Sequence, residues 1–285
     1  MKLAIVTDST CDIRKAELDE LGVLRVPLYV NFKGDVFKDW VEISTKDIVE
    51  GVAAGADLPS TSQPSPQDFE RIYQDAVDAG AEEIICITIS SELSGTFQSA
   101  NIAKENAGVP VTVFDSRHAS IGVGNMVKQA SKMRVQGASL DKIIEALEHI
   151  RDTNYLIFTV AGLEYLQKNG RIGGAQAMIG SLLSIKPLLT INEGKVDQAG
   201  RARGTKKAIK ELVSRAANYA QSYPRPLRIS FIHIQDEAAA EKMRQEISKS
   251  GLEFEDMGTY EIGAVIASHV GPGTFGMYMH TEPDS

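Results

Sequence analysis

Apolar residues occur along the chain in short runs that alternate with amphipathic segments. The clearest run is residues 84–89, which are rich in β-branched side chains and predict a strand buried on both faces. Similar runs at residues 3–7 and 111–114 are each followed by a segment with helical spacing. Because strands and helices alternate, we expect an α/β fold whose first half is a parallel sheet with flanking helices.

The length of 285 residues suggests two domains rather than one compact core. The apolar spacing resets near Asp152-Thr153-Asn154. We therefore predict an N-terminal α/β domain over residues 1–153 and a C-terminal mixed α/β domain over residues 154–285.

Individual elements follow from the same spacing. Residues 24–32 are predicted to form one strand, followed by a turn at Gly34-Asp35. In the second domain, the apolar residues at 175–184 predict a helix. Residues 186–192 and 195–200 are expected to pair as strands, and residues 208–223 to form a helix.

Small polar residues follow three of the predicted strands, after Thr7, Ile89 and Phe114. The loop over residues 90–96 holds three serines, a threonine and a glycine between a strand and a helix start, which favours an anion site. The loop has no lysine and no G-x-S-x-G order, so it is neither a P-loop nor a nucleophile elbow. A hydroxyl-rich helix cap explains it equally well.

Two further loops carry polar side chains. Residues 59–66 are stiffened by prolines and present hydroxyls at Ser60, Thr61 and Ser62, although they could equally be an exposed connector. In the first loop, Asp8 or Asp12 could act as a metal ligand or a base. A cap on a helix or a tie between loops is the commoner role for such an aspartate.

His269 closes a short apolar helix just before Gly271-Pro272-Gly273. A helix C-terminus favours the protonated ring, which would pair with an acidic ligand. Ser94, His269 and Asp8 could in principle form the triad of a serine hydrolase. The loops offer many hydroxyls and no single nucleophile, which suits holding an anion better than attacking an acyl group.

Composition excludes several classes of protein. The net charge of −8 and the pI of about 5.3 argue against a general nucleic-acid binder. The five histidines and two cysteines show neither metal-ligand spacing nor a disulfide framework, so we expect no metal and no cofactor. With no signal-peptide pattern and no apolar run of about 20 residues, we expect a cytoplasmic protein without a membrane span.

Seven segments together resemble the DegV family of bacterial fatty-acid-binding proteins. They occur in the same order over nearly the whole chain. The segments are residues 7–10, 59–66, 90–100, 115–116, 163–166 with 170–172, 185–188 and 269–273. The resemblance implies two α/β domains with a long-chain, palmitate-like fatty acid buried between them.

The resemblance also implies a set of ligand-binding residues. Hydroxyls of Thr61 and Ser94 would grip the carboxylate, with His269 joining them, and we expect neighbouring positions of the same loops to complete the set. Those positions are Ser62, Ser91, Gly95 and Thr96. The tunnel wall could draw on residues that are otherwise plain core, namely Met178, Ile179, Leu182, Leu183, Ile266 and Phe275.

A role in lipid transport and fatty acid metabolism follows from the resemblance. The protein would be a non-enzymatic carrier that presents the fatty acid to the catalytic subunit of an ATP-dependent fatty acid kinase, with transient membrane contact allowed. Arg171, Arg201 and Arg203 would face the kinase or the phosphate, although ordinary surface charge explains them equally well. The alternatives are a serine-dependent acyl hydrolase on the same loops and a lipid-sensing regulatory module.

Overall fold

Strands and helices alternate along the chain, as the apolar spacing predicts. The structure is a computed structural model that describes residues 2–180, 185–223 and 227–283. Its strands are β1 (Leu3–Asp8), β2 (Val23–Val26), β3 (Tyr29–Phe32), β4 (Asp35–Lys38), β5 (Ser60–Ser62), β6 (Glu83–Thr88), β7 (Val111–Asp115), β8 (Tyr155–Thr159), β9 (Lys186–Asn192), β10 (Lys195–Ala202), β11 (Leu227–His233), β12 (Phe254–Glu261) and β13 (Phe275–Thr281). Its α-helices are α1 (Lys15–Leu21), α2 (Thr45–Ala53), α3 (Pro66–Asp78), α4 (Thr96–Ala103), α5 (Ile121–Val135), α6 (Leu140–Asp152), α7 (Glu164–Lys168), α8 (Gly204–Ala220), α9 (Glu237–Lys249) and α10 (Ala264–Val270).

The first half of the chain forms a parallel sheet with strand order β2-β1-β6-β7. Alternate residues of β6 point to opposite faces: Ile85 packs with α5 and α6, whereas Ile84 packs with α3 and α4. The apolar run at residues 84–89 is therefore buried on both faces, as predicted. The loops after β1, β6 and β7 consequently meet at one edge of the sheet, and the α/β fold class is confirmed.

The second half forms a mixed sheet with strand order β10-β9-β8-β13-β11-β12, in which only the β11–β12 pair is parallel. One face of this sheet packs against α8 and α9. Leu156, Phe158 and Ile232 on the other face belong to the same apolar cluster as the α5 side of the parallel sheet. The two sheets thus share a core, and the division at residue 153 stays a prediction. Within the described ranges, no helix has the length and apolar character needed to cross a membrane.

The prediction of one strand over residues 24–32 is wrong. Pro27, which has no backbone N–H for a sheet ladder, separates β2 in the parallel sheet from β3. Strand β3 lies instead at the centre of a small antiparallel sheet with the order β4-β3-β5. This change of sheet brings β5, and with it Thr61, next to the parallel sheet's polar loops.

The predicted helix over residues 175–184 is also wrong in its described part. Gly173–Met178 forms a 3-10 helix, and Ile179 is extended. A Cβ at Gly173 would lie 2.1 Å from the carbonyl oxygen of Val196, so this glycine, whose φ is +49°, lets the segment approach β10 closely. Leu182 and Leu183 lie outside the described residues.

Candidate functional site

A cavity of about 330 Å³ lies between the parallel sheet's polar edge and the inner face of the mixed sheet. Its volume is within the range of small-molecule sites. Most of its wall is apolar, with Leu28, Ile89 and Leu93 from before residue 153 and Leu156, Phe158 and Ile232 from after it. The polar lining residues are Thr61, Ser62, Gln63, Ser94, Ser120, Arg171, His269 and Thr274. The cavity is therefore an apolar chamber with a limited set of polar groups.

Thr61 and His269 meet in the cavity wall although they lie far apart in the chain. The Thr61 Oγ1 and His269 Nε2 atoms are 2.7 Å apart, a hydrogen bond between strand β5 and the last turn of α10. Nδ1 of the same ring is buried and has no hydrogen-bond partner among the described residues. The imidazole thus has one nitrogen engaged by the threonine and one still able to bond.

The protonated His269 ring predicted beside an acidic ligand stays a prediction, because the ligand-free protein favours the neutral ring. Burial, together with the nearby Arg171 guanidinium, lowers the pKa of His269 to about 4. Desolvation outweighs the attraction of the helix C-terminus for a cation, because the ring is enclosed by protein rather than by water. At pH 7 the ring is neutral, and it can either donate or accept a hydrogen bond.

Ser94 also lines the cavity, on the loop that follows β6. Its hydroxyl lies 2.8 Å from the hydroxyl of Thr96, which is fully buried at the start of α4. Ser62 contributes a further hydroxyl from the end of β5. The structure therefore brings Thr61, Ser62, Ser94 and His269 to one cavity, with Thr96 behind Ser94.

Ser91 and Gly95 have other contacts. The Ser91 hydroxyl donates to Oδ2 of Asp115 at 2.5 Å, and Ser91 is exposed outside the cavity lining. A Cβ at Gly95 would lie 2.1 Å from Oε1 of Gln63. The Gln63 side chain thus packs directly against Gly95. The amide nitrogen of Gln63 also donates a hydrogen bond to the Ser99 hydroxyl at 3.1 Å.

Replacing Gly95 by alanine tests this contact. We expect Gly95→Ala to push the Gln63 amide away from Ser99 and to lower the free energy of unfolding by about 1 kcal/mol, the value of one ordinary hydrogen bond. In a Gln63→Ala background the same change should cost almost nothing, because the obstructing amide is gone. Urea denaturation of the four proteins in this double-mutant cycle measures the coupling, and equal costs in both backgrounds would contradict it.

The three arginines predicted to face a partner lie in two places. Arg171 is exposed at the cavity, where Nε donates to the Leu93 carbonyl at 3.1 Å. Arg201 and Arg203 line a separate surface depression with Lys207 and Lys210. Only Arg171 is therefore positioned to act on a molecule bound in the cavity.

Of the residues predicted to form the tunnel wall, some line the cavity and others do not. Ile266 of α10 lines the cavity. Phe275 packs with α8 and α9 on the opposite face of the mixed sheet, and Met178 is buried in the shared core outside the cavity lining. Ile179 keeps 39% of its surface exposed and does not line the cavity. Met178 and Phe275 are thus plain core residues, as in the alternative reading, whereas the exposed Ile179 belongs neither to the core nor to the cavity wall.

The side chains of the hydrolase alternative are engaged elsewhere. Ser94 contacts Thr96, whereas His269 contacts Thr61. Asp8 is buried and accepts hydrogen bonds from the backbone and hydroxyl of Thr10 and from the backbone of Ile89. Asp8 thus caps the turn after β1, and a nucleophile–base–carboxylate relay is not assembled.

Sequence reasoning missed Gln63, Ser120 and Thr274, which line the cavity with polar side chains. Ser120 has a φ of +56°, a left-handed conformation unusual for serine, and its hydroxyl donates to Asp12. Its position in the third polar loop, after β7, was the available signal. Within the described residues, no group of three histidine, cysteine or acidic side chains could hold a metal ion.

Comparisons with known proteins agree with this architecture. The family model described as "Uncharacterised protein, DegV family" matches residues 2–282. A "DegV domain-containing protein" from Deinococcus radiodurans is 43% identical over 281 residues, which cover 97% of this chain and 98% of the relative.

Solved structures of similar chains include two whose names describe lipid binding. A fatty-acid-binding DegV family protein from Thermus thermophilus has a TM-score of 0.94 and 46% identity, covering 99% of this chain and 100% of that one. A stearic-acid-binding protein from Eubacterium ventriosum has a TM-score of 0.90 and 26% identity, covering 99% of this chain and 98% of its own. This chain belongs to the DegV family.

Proposed function

We propose that this chain binds a long-chain fatty acid in the cavity, with the carboxylate at Thr61, Ser94 and His269 and the acyl chain along the apolar wall. The observation that carries the proposal is the composition of the cavity lining. Hydroxyls and an imidazole from three separate elements meet in a chamber that is otherwise mostly apolar. The fatty-acid ligands of the Thermus thermophilus and Eubacterium ventriosum relatives support it.

The energetics of such a ligand favour this arrangement. Burying about 14 methylenes at about 0.8 kcal/mol each contributes roughly 11 kcal/mol before the costs of ordering the chain. An ionised carboxylate left without partners in the cavity would offset much of that gain. Hydroxyl donors and the Nε2 atom of the His269 ring, which lies beside Thr61, compensate by charge-assisted hydrogen bonds.

The carboxylate would also change the charge of His269. A negative charge beside the imidazole stabilises the protonated ring, which opposes the effect of burial on its pKa. Binding is therefore coupled to proton uptake wherever the pKa in the complex exceeds the ambient pH.

We infer a non-enzymatic role, in which the protein presents the fatty acid to a kinase that phosphorylates the carboxylate. Support comes from the family resemblance and from Arg171, which is exposed at the cavity and could face a phosphate. Arg201 and Arg203 line a different depression, so a contact with the kinase body suits them better than a contact with the phosphate.

Mass spectrometry of the purified protein under denaturing conditions tests the proposal. We expect a stoichiometric long-chain fatty acid, or uptake of one by the delipidated protein. Ser94→Ala should weaken this binding by about tenfold, the value of one hydrogen bond to a charged group. A protein that neither carries nor takes up fatty acid would refute the proposal, and ester turnover abolished by Ser94→Ala would establish the hydrolase instead.

A further inference from the structure

Two buried carboxyl groups from the first half of the chain hold the start of α10. The backbone N–H of Gly263, the residue before the helix, donates to Oδ1 of Asp12 at 3.0 Å. The N–H of Val265 donates to Oδ1 of Asp39 at 3.3 Å. Asp12 and Asp39 have exposed fractions of 2% and 0%. The first N–H groups of a helix have no partner within the helix, so these carboxyl groups supply acceptors that α10 would otherwise lack.

The Asp12 carboxyl group and the backbone of Asp39 are themselves held by residues of the cavity wall. The hydroxyl of Ser120 donates to Oδ2 of Asp12 at 2.5 Å. The backbone N–H of Asp39 donates to the carbonyl of Leu28 at 2.9 Å. Both Ser120 and Leu28 line the cavity. The hydrogen bonds therefore run from the wall contributed by the first half, through the aspartates, to α10.

Helix α10 supplies an unusually large share of the cavity. Four of its seven residues, Val265, Ile266, His269 and Val270, line the chamber. Val265 also packs with Leu28 and with α2 in a separate apolar cluster, so the helix is seated on elements of the first half. A displacement of α10 would therefore move the imidazole and the wall together.

We propose that Asp12 and Asp39 are positioning residues for ligand binding, which hold α10 so that His269 meets Thr61 and the carboxylate of the ligand. The part concerning the ligand rests on the proposed fatty-acid function. The positioning of His269 can be measured without any ligand.

The state of the carboxyl groups decides which substitutions are informative. Burial raises the pKa of Asp39 to about 7 and that of Asp12 well above its ordinary value, while hydrogen bonds and the charge of Arg25 oppose the shift at Asp39. Asp39 thus carries a proton for about half of the time near neutral pH, and the raised pKa of Asp12 favours its protonated form in the same direction. Asparagine, which is neutral and keeps a carbonyl acceptor in the same place, is accordingly a close mimic.

The test compares Asp12→Ala and Asp39→Ala with Asp12→Asn and Asp39→Asn in the full chain, using palmitate as the probe. The alanine variants lack the acceptor, and we expect their Kd to rise about tenfold, as for the loss of a strong helix cap. The asparagine variants should stay within about threefold of the unaltered chain. Asp236→Ala, which removes the cap of α9 at a residue that does not line the cavity, is the matched control and should leave the Kd unchanged.

Histidine NMR of the lipid-free proteins measures the pKa of His269. A general loss of stability would not change this pKa. In the alanine variants we expect the His269 ring to become more exposed and its pKa to rise from about 4 toward the ordinary value. In the asparagine and Asp236→Ala variants it should stay near 4. If an alanine variant does not fold, Asp39→Ser, whose shorter side chain reaches Val265 less well, should show the same two changes.

The outcomes separate the two proposals. An unchanged His269 titration in the alanine and serine variants would overturn the positioning role, whether or not palmitate binds. A shifted titration in protein that never binds palmitate would support the positioning of His269 and refute the fatty-acid function. A Kd that rises equally in the alanine, asparagine and Asp236→Ala variants would show a general loss of stability and overturn the proposal.

Discussion

A double variant, Thr61→Val with His269→Leu, is expected to bind a long-chain fatty acid about 100-fold more weakly than the unaltered chain. Both changes remove groups that can hydrogen-bond an ionised carboxylate and replace them with apolar groups of similar size. The ligand would then have to bury its charge against valine and leucine, or leave its headgroup in water and forgo part of the apolar wall. Isothermal titration calorimetry of the delipidated proteins measures the change.

The double variant should remain folded, which makes the result interpretable. In the ligand-free protein Thr61 and His269 bond each other, so the two changes remove both partners together rather than leaving one stranded. Such paired replacements are often nearly neutral for stability. Nδ1 of His269, buried without a partner among the described residues, is removed as well.

Ser60→Ala is the matched control for this experiment. Ser60 lies on the same strand as Thr61, is exposed, and does not line the cavity. Its removal should leave the affinity unchanged. Equal affinities for the double variant and the control would mean that the carboxylate does not lie at Thr61 and His269, and that the ligand has another orientation or another site.

Local sequence patterns predicted much of the fold because these elements are specified by interactions between residues that are close together in the chain. The strands predicted at residues 3–7 and 111–114 form β1 and β7, because a short run of apolar side chains is enough to specify a buried strand. The buried strand at residues 84–89 and the paired strands beside Glu193-Gly194 follow from side-chain spacing in the same way. None of these elements depends on a distant part of the chain.

The site could be predicted only in part because its contacts are distant in sequence. Thr61 and His269 are separated by 208 positions, so no local pattern links them, and the family resemblance supplied what spacing could not. The neutral state of the ligand-free His269 ring lies beyond the sequence for the same reason. A helix C-terminus can be read from the sequence, whereas the desolvation that overrides it depends on the packing of both halves of the chain.

The aspartates of the first loop illustrate the same limit. The sequence left Asp8 and Asp12 open as metal ligand, base or cap, with a cap or a tie between loops as the commoner role. The structure distinguishes them by their hydrogen-bond donors. Asp8 accepts from the backbone N–H groups of Thr10 in its own loop and of Ile89 just after β6. Asp12 accepts from the backbone N–H of Gly263 at the start of α10. A capping role is common to both, but only Asp12 reaches an element 251 positions away.

Acidification is expected to destabilise the protein through two buried histidines, His118 and His280, and the half-buried His269. Burial lowers the pKa of His118, His269 and His280 to about 4 in the folded state. The unfolded chain takes up these protons near pH 6.5, so the folded state loses stability as the pH falls from about 6.5 to about 4. Between pH 7 and pH 5 this amounts to roughly 2 kcal/mol for each histidine.

Asp12 and Asp39 act in the opposite direction, which is why single variants are needed. The pKa values of both groups are raised in the folded state. Each group therefore lowers the free energy of unfolding as the pH rises and increases it as the pH falls. The net pH dependence of the unaltered chain is a partial cancellation. Substituting one group of each kind separates the two contributions.

His118→Phe isolates one histidine, because phenylalanine can keep the edge-on contact that the His118 ring makes with Tyr278 at a centroid distance of 4.8 Å. Urea denaturation of the lipid-free protein at pH 7 and pH 5 should show an acid-induced loss smaller by roughly 2 kcal/mol than in the unaltered chain. Asp39→Asn should show a loss larger by roughly 2 kcal/mol. The two variants are thus expected to change the acid-induced loss of stability in opposite directions, and this difference in sign is the strictest test of the prediction. Equal slopes in all three proteins would mean that these groups titrate alike in the folded and unfolded states, and that their burial is less complete in solution.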